Sequence, residues 1–190
     1  MEYRHAVDKL SKILSAKRFQ HSLGVSQTAA DLAVRFDEDE EKARLAGLLH
    51  DCARNISSNN LLQMAKVFAI VVNDVERCQP VLLHAPLGAC LAKTEYGIDD
   101  PQILRAISLH TTGGKGMSKL EKIIYLADCI EPGRDYPGVH VLRNIAMNNL
   151  NAAVLAAFDQ SLHLVIEQGL LIHPATIEGR NELIQQRHNI

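Results

Sequence analysis

The chain has 190 residues, 47% of them apolar, and a formal net charge of −2. That length and apolar content suit one compact domain with a sizeable core and exclude an intrinsically disordered chain. The near balance of charge gives no electrostatic case for nucleic acid or an anionic membrane as partner, and no run reaches the ~18 apolar residues that a membrane span needs.

Taken in chain order, the elements read as helices. The opening MEYRHAVDKLSKIL is amphipathic and charged, unlike a signal peptide, and Ala6, Leu10, Ile13 and Leu14 share one helix face. A second helix is expected from about Arg18 to Phe36, with Leu23, Ala30 and Val34 facing inward. The acidic run DEDEE, 37–41, reads as a solvated turn and helix start, where carboxylates suit the dipole. A third helix is expected over about Glu40 to Ala53, followed by a turn at Ser57–Asn60 that carries several caps. Residues 67–83 read as a loop or short helix, because Pro80 and the lack of a partner argue against a strand.

Another helix is expected from Val81 to about Tyr96, ended by Gly97. Asp100 before Pro101 is a cap followed by a first-turn proline, and that helix runs to about His110. TTGGKG is a connector, and Ser118 with Glu121 forms a capping box that opens KLEKIIYLADCI. EPGRDYPG stops that helix with two prolines. A last helix, about Asn149 to Ile172, is apolar on most faces (Val154, Leu155, Phe158, Leu162, Val165, Ile166), which makes a second copy of the chain a candidate partner. With no repeat and no linker, the whole reads as one all-α domain over residues 1–190, a bundle-like core followed by a helical part from about 141 to 190. Cys52, Cys78, Cys90 and Cys129 form no CxxC pair and read as scattered core thiols, so a reducing, cytoplasmic setting is expected.

The functional signal lies in polar residues that interrupt apolar helices. Of nine histidines, His5, His140 and His188 sit in polar contexts, and His163 and His173 lie on or just beyond the last helix; none of these five is given a role. His21 in RFQHSLGV, His50 in LLHD, His84 in LLHAPLGA and His110 in AISLHTTG lie in or at the ends of apolar segments and should face inward. Asp51 and Asp128, the latter in IIYLADCIE, join them. Four imidazoles and two carboxylates buried together would leave donors unpaired and charges uncompensated. Metal ions resolve this, since imidazole and carboxylate are the ligand set of Zn, Fe and Mn sites and need no thiolate.

Six ligands are too many for one ion with an open position and suit two, with Asp51 as the natural bridge. Gly24, Gly47 and Gly88 each lie one turn from a histidine on its own face, leaving room for ions, for substrate or for a close neighbouring helix. Two divalent ions against two aspartates give a net positive site suited to polyphosphate. A metal-bound hydroxide there would attack a phosphorus atom. Arg54, four residues after His50, and Arg134, in a turn stiffened by Pro132 and Pro137, are candidates for neutralising phosphate charge. Arg18, one turn before His21, is a third, and Thr111, Thr112 and Gly113 offer hydroxyl or backbone donors.

The order His21, His50-Asp51, Asp128, with His84 and His110 between, resembles the HD superfamily of metal-dependent phosphohydrolases, and the added histidines resemble its dinuclear subset. RFQHSLGV, ARLAGLLHDCAR, LLHAPLGA and ISLHTTGGKGMSKLEKIIYLADCIEPGRDYPGV are similar to segments of the bacterial YqeK-type HD proteins, symmetrical diadenosine tetraphosphate hydrolases. The resemblance spans about residues 15–140 and implies an all-α HD-domain helical bundle. It implies metal ligands at His21, His50, Asp51, His84, His110 and Asp128, and two divalent ions, iron first, with manganese or others as alternatives. The implied reaction splits diadenosine tetraphosphate into two ADP. Arg54 departs from the lysine of many relatives, keeping the charge and adding a planar fork. Two other readings compete: an HD-type nucleotidase working with one ion, for which His84 and His110 would be dispensable, and a non-catalytic nucleotide sensor that binds without turnover.

Overall fold

Capping residues set most of the helix starts. In the computed structural model, which describes residues 3–188, no strand occurs among the described residues. The first helices are α1 (Tyr3–Ser11), α2 (Ala16–Arg35) and α3 (Glu40–Leu49). Ser15 caps α2, and Asp39, within the acidic run, caps α3 by accepting the Lys42 N–H at 2.9 Å. After α4 (Ser58–Val67) and the short α5 (Asp74–Cys78) comes a 3-10 turn, Pro80–Leu83, then α6 (His84–Tyr96) and α7 (Pro101–Leu109). Asp100 caps α7 as the sequence predicts, Gly97 closes α6 with φ +63°, and the Ser118–Glu121 capping box opens α8 (Lys119–Ile130). The chain finishes with α9 (Val139–Ala146), α10 (Leu150–Glu167) and α11 (Pro174–His188).

Several expectations are corrected. The third helix stops at Leu49, so His50, Asp51 and Arg54 lie in a series of turns rather than inside a helix. The helix expected from Val81 starts at His84, because Pro80 nucleates a 3-10 turn first. The expected last helix ends at Glu167, since Gly169 takes a left-handed φ of +63°, and Pro174 then starts α11, which the sequence reading missed along with α9. Val34 is 66% exposed, because Val25, Ala29, Leu32 and Ala33 carry the inward stripe of α2. Ile13 lies beyond the end of α1 and is also exposed. Cys78 is exposed rather than a core thiol.

The core is built around α8, whose Ile123, Ile124 and Leu126 are fully buried and which packs on α2, α3, α7, α9 and α10. Phe158 of α10 is fully buried with its ring 4.8 Å from that of Tyr125, a burial worth about 2–3 kcal/mol. A satellite cluster of Ala53, Leu61, Ala65, Leu83 and Leu87 anchors α4 beside the 3-10 turn. Helices α2 and α3 approach closely at Gly47, where a Cβ would lie 3.0 Å from Ser26 Cα and Val25 O, so this glycine serves helix packing. At Gly88 a Cβ would make only ordinary contact, 3.4 Å from His50 O and Ile107 Cγ2, so the helices there are less tightly apposed. These contacts bring the middle of α2, the C-terminal ends of α3 and α7, the start of α6 and the last turn of α8 to one place.

Candidate metal centre

Four histidines arrive at that place, each with Nε2 turned toward Asp51. His50 Nδ1 lies 2.7 Å from Gly47 O, His110 Nδ1 lies 2.7 Å from Ile107 O, and His84 Nδ1 bonds Val81 O. Each uses the carbonyl three residues earlier, and each stands at a helix or 3-10 end, where the last carbonyls have no intrahelical partner. A carbonyl only accepts, so Nδ1 carries the proton in all three rings and Nε2 presents its lone pair. His21 differs: it sits inside α2, and its Nδ1 lies 3.0 Å from Glu131 Oε1. That carboxylate fixes the same tautomer.

The four Nε2 atoms converge on two carboxylates. Asp51 Oδ1 is 3.2 Å from His84 Nε2 and 3.6 Å from His110 Nε2. Asp51 Oδ2 is 3.5 Å from His50 Nε2 and 4.0 Å from His21 Nε2. Asp128 Oδ1 adds to the second group, 2.9 Å from His21 Nε2 and 3.9 Å from His50 Nε2. All six residues expected as ligands are therefore adjacent, and Asp51 turns one oxygen to each histidine pair.

The donor set fits cations. Among the described residues, the Nε2 atoms of His21 and His50 are buried with no hydrogen-bond partner. His84 Nε2 and His110 Nε2 face each other at 3.1 Å, with the Thr111 hydroxyl 3.2 and 3.1 Å away. One hydroxyl proton cannot serve two lone pairs. Burial opposes ionisation of Asp51, but the surrounding His50, His110 and His84 rings hold its carboxyl far below the ordinary range. Asp128 behaves likewise: burial is outweighed by His21, His50 and Arg134, and its pKa is strongly lowered. Burial pushes the neighbouring Cys52 and Cys129 thiols up to about 12, so both stay neutral. Three sets, His21/His50/Asp51, His50/His110/Asp128 and Asp51/His84/His110, have atoms close enough to share an ion.

The other sequence candidates divide. Arg18 Nη1 lies 2.7 Å from Asp51 Oδ2. Arg134 donates through Nε to Asp128 O at 2.7 Å and pairs through Nη2 with Asp128 Oδ1. Both line a cleft of about 740 Å³ that also takes in Lys17, Gln20 and Gly133 and opens beside His21. Thr111 touches the histidines, whereas the Thr112 hydroxyl donates to Gly113 O and the Gly113 N–H to Leu109 O, which leaves neither donor free. Arg54 is half-buried in the turn after Asp51, with its N–H on Asp51 O at 2.9 Å and no guanidinium contact to the cluster among the described residues.

Sequence reasoning missed Glu131. It is 4% exposed at the end of α8 and also accepts the Gly133 N–H at 2.6 Å. Its signal is an acid directly before Pro132, three residues after Asp128, within the EPGRDYPG segment that stops the helix. Arg143, also unremarked, braces the turn by donating to Ile130 O, Glu131 O and Arg134 O, each at 2.8 Å.

Comparison with known proteins agrees with this geometry. Residues 18–133 match the HD domain family. The chain is 38% identical over 174 residues, 92% of each chain, to a protein of Halalkalibacterium halodurans named "Bis(5'-nucleosyl)-tetraphosphatase, symmetrical". It is 35% identical to the Bacillus subtilis protein of the same name, over 97% of this chain and 98% of that one. Among solved structures, it matches an HD superfamily hydrolase of Clostridium acetobutylicum, described as involved in NAD metabolism, at 45% identity and a TM-score of 0.95 over 98% of both chains.

Proposed function

The chain belongs to the HD domain family, and on that premise we propose that it is a metal-dependent hydrolase splitting diadenosine tetraphosphate symmetrically into two ADP. The names of relatives that match nearly end to end support the substrate. The observation that carries the chemistry is the Asp51 carboxylate, divided between the His84/His110 pair and the His21/His50 pair.

His21, His50, Asp128 and Asp51 Oδ2 would hold one divalent ion, and His84, His110 and Asp51 Oδ1 a second. The nitrogen and oxygen donor set suits iron, the ion implied by the sequence resemblance, and also manganese. When bound, two such ions supply Lewis acidity to phosphoryl oxygens and make water nucleophilic at neutral pH.

The chain's own residues supply the rest. Asp51 and Asp128 stay ionised and anchor the centre. Arg18 and Arg134 bring two guanidinium forks to the border between centre and cleft, where they can neutralise phosphate oxygens next to the scissile bond. The Thr111 hydroxyl stands at the opposite side of the centre, within reach of the His84 and His110 nitrogens. Symmetrical cleavage requires the middle of the tetraphosphate to meet the centre, so one ADP half extends into the cleft beside α2, past Lys17. Arg54 is a remoter candidate that must reorient to touch phosphate. On this reading the chain works in the cytoplasm. A homodimer covering the exposed Leu164, Ile166 and Leu171 is its candidate assembly.

The test is a product assay. Protein loaded anaerobically with Fe(II), or with Mn(II), is incubated with diadenosine tetraphosphate and the nucleotides are separated. ADP as sole product, lost in Asp51→Ala, is the expected result. ATP plus AMP would overturn symmetrical cleavage, and tight binding without turnover would favour a sensor.

A further inference from the structure

Three of the four centre histidines are oriented by their own backbone, and the fourth is not. His50, His84 and His110 stand at helix or 3-10 ends and donate Nδ1–H to a carbonyl three residues back. His21 is the sixth residue of a helix of 20 residues. The carbonyls of the preceding turn there belong to the helix ladder, so no backbone acceptor is free for its ring. Glu131, from α8, supplies one at 3.0 Å, across 110 residues of sequence.

The carboxylate is itself held. Its second oxygen accepts the Gly133 N–H at 2.6 Å, and Arg143 ties the Glu131 carbonyl into the turn at 2.8 Å. On the facing helix, a Cβ at Gly24 would sit 2.6 Å from Glu131 Oε2. Gly24 therefore leaves the space that Glu131 fills.

We propose that Glu131 is a positioning residue for His21, setting how firmly the centre holds the ion on the His21/His50/Asp128 side while leaving the His84/His110 side unaffected. A carboxylate behind a ligating imidazole locks the ring and raises its basicity, and removing such a partner weakens metal binding by about tenfold to a hundredfold. The effect is one-sided because Glu131 touches His21 alone of the four histidines. Glutamine in its place can accept from His21 or from Gly133 but not from both.

The proposal rests on the two-ion reading above, and stoichiometry separates the two. Full-length protein stripped with a chelator is titrated with Mn(II) alone, and free ion is followed by its electron paramagnetic resonance signal. The metal-free unfolding midpoint is recorded beside it. Wild type is expected to bind two ions, and Glu131→Gln to bind one of them tenfold to a hundredfold more weakly at an unchanged metal-free midpoint. Gly24→Ala, which keeps the carboxylate but displaces it, should weaken the same ion and decides the matter alone if Glu131→Gln does not fold. Unchanged affinities in the variants, or equal weakening of both ions, would overturn the positioning role. A wild-type chain that binds a single ion would overturn the two-ion reading itself, and this inference with it.

Discussion

Arg18 reaches Asp51 Oδ2 at 2.7 Å, the same oxygen that faces His50 and His21. A guanidinium there competes with a cation for the carboxylate, yet it is half-exposed and borders the cleft, so it is free to turn to phosphate when an ion takes its place. Arg18→Ala should lower kcat/KM for diadenosine tetraphosphate about tenfold to a hundredfold, the worth of a charge-assisted hydrogen bond of roughly 1.5–3 kcal/mol. Metal stoichiometry should stay intact, because the substitution removes a competitor of the ions. Steady-state kinetics together with metal analysis check this; an Arg18→Ala protein that loses metal would assign the arginine to the centre's architecture instead.

His84 and His110 discriminate between one ion and two. Their Nε2 atoms are 3.1 Å apart, and both face Asp51 Oδ1. Replacing both with alanine should reduce bound metal from two ions to one and abolish symmetrical hydrolysis. A one-ion hydrolase would keep its activity, so metal content and ADP formation measured on the same sample separate the cases.

The centre was legible in the sequence because burying His or Asp without a partner is expensive. LLHD, LLHA, SLHT and YLAD each break an apolar run, and the structure gathers all four segments into one cluster that also holds His21. Where those breaks fall within local structure was not legible. His50 looks mid-helix by periodicity, but α3 ends at Leu49, and that ending frees the Gly47 carbonyl that orients the ring. Glu131 escaped notice because its partner is 110 residues away, and pairing at that distance leaves no periodic trace. On spacing alone Arg18 ranks third among the arginine candidates, after Arg54 and Arg134. The turns after Leu49 reverse that order, putting Arg18 on Asp51 and leaving Arg54 without a guanidinium contact there among the described residues.

Asp100 offers a test of the fold away from the centre. It caps α7 by accepting the Gln102 N–H at 2.8 Å and pairs with Lys42 Nζ at 2.8 Å. The Lys42 hydrogen bond, with the helix N–H groups, lowers its pKa from 3.8. Because the folded value is the lower one, the stabilisation is fully present above the unfolded carboxyl value and fades as pH falls through the folded value. Asp100→Ala should cost about 1 kcal/mol at neutral pH. In denaturant titrations the gap from wild type should narrow below about pH 4; a gap that widens there would contradict the assignment.

Metal removal should be visible as lost stability. Each ion that binds only the folded chain adds about 2.7 kcal/mol at a hundredfold excess over Kd, so two add roughly 5.4 kcal/mol. For a chain of 190 residues that corresponds to roughly 10–20 °C in Tm. Chelation should lower the wild-type Tm by that amount, and Mn(II) should restore it. In Asp51→Ala both halves of the centre lose their shared oxygens. Its Tm should therefore respond little to either treatment in a calorimetric scan. A full metal response in that variant would show that the ions stabilise the fold from somewhere other than the histidine cluster.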